Sequence, residues 1–249
     1  MNVKKDVRTW TRKFGYELRD ANYIPQSHER KIYEYYLKKT DPIRTIFDVG
    51  ANVGQTALAF HESFPDARIY SFEPFAQVYR VLVAGTSHLP AVSCQPVALG
   101  DAETTMTVAS ESMDQSDINS LLDDKQKELE KRGVTEVESI VVRTGEGFCA
   151  EHEISRVDIL KIDTEGYELP VLRGFGTFLE ANVRAILCEF CLLENKARQT
   201  SLIRLQEFLQ PKGFELASLY DVRHEADGAF HYGNALFVHA DHLNPDRRW

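Results

Sequence analysis

A short apolar run that meets two glycines four positions apart and then turns helical leaves a chain few ways to fold. Arg44-Thr45-Ile46-Phe47-Asp48-Val49-Gly50-Ala51-Asn52-Val53-Gly54-Gln55 is such a stretch. Thr45 to Val49 has the β-branched and aromatic character of a buried parallel strand, and Gln55 to Phe64 carries Ala57, Leu58, Ala59 and Phe60 at helix-compatible spacing. A strand therefore runs into a tight turn and leaves through a helix. Gly50 and Gly54 admit backbone conformations closed to side chains and allow a ligand close to the main chain, with N–H groups of the next helix directed at it. That geometry suits a nucleotide-like ligand.

The acid in the turn narrows the ligand class. A phosphate cradle uses glycines, amide dipoles and usually a lysine, whereas Asp48 stands at this strand end and no Gly-Lys-Ser/Thr follows, which excludes a P-loop. Asp-x-Gly-x-Asn-x-Gly also fails the Gly-x-Gly-x-x-Gly spacing of dinucleotide sites. The next strand, Ala67 to Phe72, ends in Glu73-Pro74, and Glu73 lies 19 positions beyond Gly54 (73 − 54), near the spacing at which an acid meets ribose hydroxyls. A positively charged adenosine without a pyrophosphate satisfies both acids. S-adenosylmethionine is such a molecule.

The rest of the chain alternates strands and helices. Phe75 to Thr86 reads as a helix, Val92 to Leu99 as a strand, Thr104 to Ala109 as an edge strand and Val137 to Arg143 as another strand. The stretch between, residues 110 to 133, reads as a charged surface helix or a loop over the site. Val157 to Ile162 is followed by a helix from Glu168 to Leu179, Val183 to Leu187 by a helix from Ser201 to Gln210. Phe214 to Leu219 and Asn234 to His239 then follow with no helix between them, so they pair antiparallel. The expected fold is α/β: a Rossmann-like, seven-stranded doubly wound sheet with an antiparallel last strand and helices on both faces, the class I methyltransferase arrangement. Ligands of such sheets bind outside the carboxyl ends of the parallel strands, which brings Asp48, Glu73, Asp163 and Glu189 to one rim. The loop from Tyr220 to Gly233, with Asp221, Arg223, His224, Glu225 and His231, belongs to the same rim.

Composition excludes several classes. The net charge of −9 argues against nonspecific nucleic-acid binding, no run of about 18 apolar residues occurs, and Met1 to Asp20 lacks the apolar core of a secretory signal. A cytoplasmic protein is expected. Cys94, Cys149, Cys188 and Cys191 include one C-x-x-C but no second pair for zinc, so reduced thiols are expected. Residues 1–43 form an N-terminal helical extension and 44–249 the main domain. Residues 1–40 hold ten Lys/Arg against five Asp/Glu, net +5, interleaved with Trp10, Phe14, Tyr16 and Tyr23. Capping the substrate site, a homodimer contact through these helices or an anionic surface are open uses. An amphipathic helix packed on the domain with a solvated basic face is preferred over them.

The motifs together carry a resemblance. Asp48-Val49-Gly50-Ala51-Asn52-Val53-Gly54, Phe72-Glu73-Pro74, and Leu160-Lys161-Ile162-Asp163-Thr164-Glu165-Gly166-Tyr167-Glu168 with Val171-Leu172-x-Gly174 resemble the FkbM family of S-adenosylmethionine-dependent methyltransferases, in the expected order over about residues 44 to 240. The resemblance implies that Asp48, Gly50, Asn52 and Gly54 hold the methionine part of the cofactor and Glu73 the ribose. It adds Ala51, Gln55, Pro74, Ala98 and Asp163 as cofactor contacts. Asn119-Ser120-Leu121 is similar to a serine-containing segment that closes over the cofactor, which adds Ser120. Thr144-Gly145-Glu146 departs from the more usual Thr-Leu-Asp. The implied acceptor is a hydroxyl on a sugar, polyketide or related small metabolite.

Methyl transfer is an in-line displacement in which alignment supplies much of the rate, and an aliphatic hydroxyl is a poor nucleophile until its proton leaves. Asp163 is the first choice of base, with Glu165 or Glu189 beside it. A pair of these carboxylates holding Mg2+ is a second route, and His224 or His231 as base a third. Against these stand plainer readings: Lys161 as a strand-end surface charge, Glu165 as a cap for the helix that follows, Asp48 as a brace for the turn. A non-catalytic nucleotide-binding or scaffold module, docking through the basic N-terminus, is the alternative function.

Overall fold

The computed structural model describes residues 26–38, 41–109, 121, 131, 137–192, 200–224, 228 and 230–246. In chain order the elements begin with α1 (Arg30–Tyr36), β1 (Thr45–Val49), α2 (Gln55–Ser63), β2 (Arg68–Phe72), α3 (Ala76–Thr86) and β3 (Val92–Gln95). The short β4 (Ala98–Leu99), β5 (Thr104–Ala109), β6 (Val137–Arg143) and α4 (Gly145–Glu151) follow, then β7 (Val157–Ile162), α5 (Glu168–Gly174) and α6 (Gly176–Asn182). β8 (Val183–Phe190), α7 (Leu202–Leu209), β9 (Phe214–Tyr220) and β10 (Gly233–His239) complete the chain.

Seven of these strands form one sheet in the order β3-β2-β1-β7-β8-β10-β9. All neighbours run parallel except β10, which is antiparallel to both β8 and β9. This is the expected doubly wound sheet with its last strand reversed. Phe47 and Val49 of β1, with Leu160 and Ile162 of β7, pack under α4 to α7 on one face. Ile46 and Ile159, one residue out of phase, pack under α1 and α2 on the other. The two-residue period of a strand sorts side chains onto the two faces, and both faces are covered, so the central strands are apolar along most of their length. Phe47 is the centre of one face, with Tyr70, Phe72, Phe148 and Phe175 at ring-centroid separations of 5.1 to 6.1 Å.

Three expectations are corrected. Val92 to Leu99 is two strands, because Pro96 has no N–H to extend the ladder; β3 pairs with β2 and β4 with β6. β4, β6 and β5 form a separate three-stranded sheet, whose Ala98, Val108, Ile140 and Val142 pack with Phe75, Val78 and Leu121. The helix from Glu168 breaks after Gly174, where a Cβ would lie 1.9 Å from the Gly100 carbonyl oxygen, and restarts at Gly176, whose φ is +51°. α1, the part of the N-terminal extension that is described, buries Ile32 and Tyr33 against Phe60 and Phe64 while Arg30, Lys31 and Glu34 stay exposed. Trp10, Phe14, Tyr16 and Tyr23 lie outside the described residues, as does most of the 110–133 stretch. No described helix is long and apolar enough to cross a membrane.

At the amino ends of the strands, Arg184 and Asp158 form a fully buried pair at 3.0 Å. Asp158 also accepts hydrogen bonds from the Arg44 and Thr45 amides at 2.7 and 2.9 Å, fixing where the chain enters β1. Truncating Phe47 to Ala, in contrast, opens a void no neighbour can fill. Phe47→Ala should cost ~3–5 kcal/mol of unfolding free energy in a urea titration, and a loss below ~1 kcal/mol would show that the five rings do not pack as a unit.

Candidate active site

The carboxyl ends of β1, β2, β7 and β8 open onto a cavity of 440 Å3 lined by Gly50, Ala51, Asn52, Gln55, Glu73, Pro74, Ala98, Asp163, Glu165 and Glu189, among others. That volume is ordinary for a small-molecule site, which spans ~300–1,000 Å3. One wall is apolar, formed by Phe72, Phe75, Ala98, Leu99 and Leu121. The cavity also carries Asp163, Glu165 and Glu189, which each offer a carboxylate oxygen within 4.8 Å of the others, together with Tyr232 and Asn234.

The turn after β1 is held by its neighbours. The Gly50 and Ala51 amides donate to the Phe72 carbonyl at 3.1 and 3.0 Å, and the Asn52 amide to Glu73 Oε2 at 3.0 Å. These amides are therefore engaged inside the protein. Asn52 takes φ +46°, a left-handed conformation that asparagine tolerates. Gly50 is required by protein, not ligand: at φ +76° a Cβ there would lie 1.8 Å from the Asp163 carbonyl oxygen. At the start of α2, which no side chain caps, Gln55 and Thr56 line the cavity. Gly54 is a left-handed hinge at φ +98° behind them and does not line it.

Asp48 is not in the cavity. Alternation along β1 turns it to the same face as Ile46, and in register beside it on β7 stands Lys161. Both are buried, and Lys161 Nζ lies 3.2 Å from Asp48 Oδ1, 3.1 Å from the Gly50 carbonyl oxygen and 3.5 Å from Asp163 Oδ2. Lys161 is thus not a surface charge; it lines the cavity with its ammonium held by these three groups. Burial alone lowers its pKa, but Asp48 and Asp163 outweigh that and hold it above the ordinary lysine value. Burial raises the Asp48 pKa, and the ammonium works against that rise. The pair clamps the glycine turn from below.

Glu73 faces the cavity from the end of β2. Its two oxygens accept from the Asn52 and Phe75 amides, each at 3.0 Å, leaving lone pairs on both for further donors. Burial pushes its carboxyl up to about 7 against those two amide bonds. Glu165 does not cap α5, whose N-cap residue is Tyr167; it stands at φ +53° with its side chain on the cavity. Ser120 lies outside the described residues. Glu146 accepts from the Thr177 hydroxyl at 2.9 Å and serves the α4–α6 packing. Gly145 before it leaves room for the Phe175 ring, 2.5 Å from where a Cβ would stand.

His224 and His231 are exposed and do not line the cavity. They sit on a hairpin closed by Arg223 N–H to Tyr232 O and His231 N–H to Arg223 O, in which Tyr232, one position out of phase, lines the cavity instead. Tyr232 and Asn234 were not foreseen. Period-two alternation running back from β10 was the signal available for them. His28 was also missed: it packs edge-on against Phe60 at 5.3 Å, and burial, then the Lys161 charge, lowers its pKa. The four cysteines are free.

The profile of the methyltransferase FkbM domain matches residues 48–216. The chain is 26% identical over 251 residues to the AMB antimetabolite synthetase AmbE of Pseudomonas aeruginosa, an alignment that covers 88% of this chain but only 12% of AmbE's length. It is 25% identical over 197 residues to methyltransferase sdnD of Sordaria araneosa, covering 69% of this chain and 73% of that protein. Among solved structures, the Methanococcus jannaschii fibrillarin pre-rRNA processing protein is similar with a TM-score of 0.49 and 11% identity, over 85% of this chain and 73% of that one.

Two outcomes test this geometry. Lys161→Met strands the buried Asp48 carboxylate and should cost ~3–5 kcal/mol in chemical denaturation, with much of the loss recovered in the Asp48→Asn, Lys161→Met double variant; an additive double variant would refute the clamp. Because Glu73 titrates at about 7 when folded and at 4.5 otherwise, the folded state binds its proton more tightly, and stability falls as pH rises between those values and levels off above them. Between pH 5 and pH 8, wild type should lose up to ~3 kcal/mol relative to Glu73→Gln. Parallel stability curves for the two proteins would contradict the burial of that charge.

Proposed function

The chain belongs to the FkbM methyltransferase family, and from that premise we propose that it transfers the methyl group of S-adenosylmethionine to a hydroxyl of a small metabolite, a sugar, polyketide or related compound. The single observation that carries this reading is the lining of one cavity: a buried carboxylate and a set of apolar side chains together with three clustered carboxylates. The donor set fits the cofactor. Glu73, with a lone pair remaining on each oxygen, would accept hydrogen bonds from the ribose hydroxyls, and Phe75, Ala98, Leu99 and Leu121 would offer apolar surface to the base. Bound there, S-adenosylmethionine supplies an electrophilic methyl on a cationic sulfur.

What the chain contributes is placement and a proton acceptor. Asp163, Glu165 and Glu189 bring three carboxylate oxygens together in the cavity, and no described histidine lines it. A carboxylate, Asp163 first among them, therefore takes the proton of the acceptor hydroxyl. Asp163 is half-exposed yet anchored, its amide bonded to the Val49 carbonyl at 3.0 Å and its carboxylate 3.5 Å from Lys161. Tyr232 and Asn234 close the acceptor side. The same three carboxylates are hard oxygen donors of the kind Mg2+ takes, which would stabilise an alkoxide, so activity with and without chelator belongs in the same assay. The likeness to AmbE, an antimetabolite synthetase, supports a small-molecule acceptor.

Mass spectrometry of a metabolite pool incubated with protein and isotopically labelled methyl donor should reveal a product one labelled methyl heavier, and no binding of S-adenosylmethionine in calorimetry would remove the proposal. Asp163→Asn should keep donor affinity within about threefold while turnover falls ~10²–10⁴-fold. Full turnover in that variant would move the base to Glu165 or Glu189.

A further inference from the structure

Between Asp163 and α5 the chain makes a turn that a non-glycine residue does not take without help. Glu165 stands at φ +53° and Gly166 follows at φ +102°, two left-handed residues in succession. Left to itself, a glutamate there relaxes toward right-handed or extended backbone. Electrostatics pushes the same way, since its carboxylate lies within 4.8 Å of those of Asp163 and Glu189. Something must hold the turn closed.

That support is Glu168, a carboxylate with no solvent exposure at all. Its Oε1 accepts from the Thr164 amide at 3.2 Å, the Thr164 hydroxyl at 3.1 Å and the Gly166 amide at 3.0 Å. Its Oε2 accepts from the Thr200 hydroxyl at 2.5 Å. The amides of the residues on either side of Glu165 are thus tied to one oxygen atom, which fixes the peptide that follows Glu165 and the peptide one residue before it. Thr200 extends the tie. Its carbonyl accepts from the Cys191 amide at 3.2 Å, two residues beyond Glu189, and it immediately precedes the N-cap of α7. One buried carboxylate therefore joins the loop that carries Glu165 to the strand end that carries Glu189.

We infer that Glu168 is a positioning residue for the acceptor end of the cavity: it holds Glu165 in its left-handed conformation and keeps it beside Asp163 and Glu189, without itself reaching the cavity. This rests on the methyltransferase reading only for what the three carboxylates do, not for the brace. A cap for α5 would not need these bonds: Glu168 reaches backward to two amides of the preceding turn and sideways to Thr200. A carboxylate with four donors also tolerates full burial, where an unpaired one does not.

The probe is a pair of cofactor analogues. S-adenosylhomocysteine lacks the methyl and its charge, and sinefungin replaces the methylsulfonium with a carbon bearing a cationic amine that points where the methyl would go. The ratio of their dissociation constants by calorimetry reads how closely the carboxylates are held to that point, while affinity for S-adenosylhomocysteine alone reads the rest of the site. Wild type should prefer sinefungin across pH 6 to 8. Glu168→Ala should lower that preference by about fivefold, equivalent to ~1 kcal/mol, with S-adenosylhomocysteine affinity within about twofold of wild type. Glu168→Gln, whose amide oxygen still accepts from Thr164 and Gly166, should restore most of it. Thr200→Val removes only the outer donor and should give a smaller loss in the same direction, and it carries the test if Glu168→Ala fails to fold. An unchanged ratio in a folded Glu168→Ala overturns the inference, and where Glu168→Ala does not fold an unchanged ratio in Thr200→Val overturns it. If wild type binds neither analogue, the cofactor reading falls first, and the role assigned to the three carboxylates falls with it.

Discussion

The buried ammonium of Lys161 is the point on which the active-site end of this protein depends. It stands in register beside Asp48 in the middle of the sheet and reaches the Gly50 carbonyl and the Asp163 carboxylate as well. A lone lysine at such depth would lose its proton or rearrange its surroundings, because desolvation of the charge is too costly to bear unpaired. With acids on two sides it stays charged and links the two turns at the tips of β1 and β7. Those turns are in contact: Gly50 passes so close to the Asp163 carbonyl that no side chain fits between them. Glycine, lysine and aspartate are one arrangement, and each makes sense only through the others.

The same device recurs around the rim. Glu73 ties the β1 turn to the β2 turn through the Asn52 and Phe75 amides. Glu168 ties the β7 turn to the segment after β8. Asp221 accepts from the Ser27 amide and the Asn234 side chain, joining the segment before α1 to the acceptor wall. Each is a carboxylate bonded to donors from stretches distant in sequence. At the opposite end of the strands, Asp158 does the same for β1 and β8. Apolar packing of the two faces supplies the bulk of the stability, and these carboxylates decide the geometry of loops that packing alone leaves loose.

The consequence for chemistry is a division of labour among acids of one rim. Glu73 is buried and held near neutral titration, suited to receive hydroxyls from a ligand. Asp163, Glu165 and Glu189 share a second, more open corner. Asp48, fully buried, faces Lys161 through Oδ1. Strand ends deliver all five to one side of the sheet, as the doubly wound topology requires, but burial and pairing give them different work.

The amino-acid sequence alone determined the alternation of strands and helices along most of the chain, the reversal of β10, and the turn at Gly50 to Gly54, because hydrophobic period, β-branching and left-handed glycine are local properties; it did not show the split at Pro96, α4 or the break after Gly174. It also determined that Asp48, Glu73, Asp163 and Glu189 stand at strand ends, since a strand's end is marked where its apolar run stops. Tertiary structure decided which of them face a ligand. Asp48 and Lys161 meet only when β7 inserts beside β1, and Lys161 lies 111 residues from the Gly50 carbonyl it holds; no local pattern in either strand names its neighbour. The exchange of His231 for Tyr232 at the cavity wall has the same origin, for a period of two says that alternate residues share a face and leaves to the packed sheet which face is turned inward.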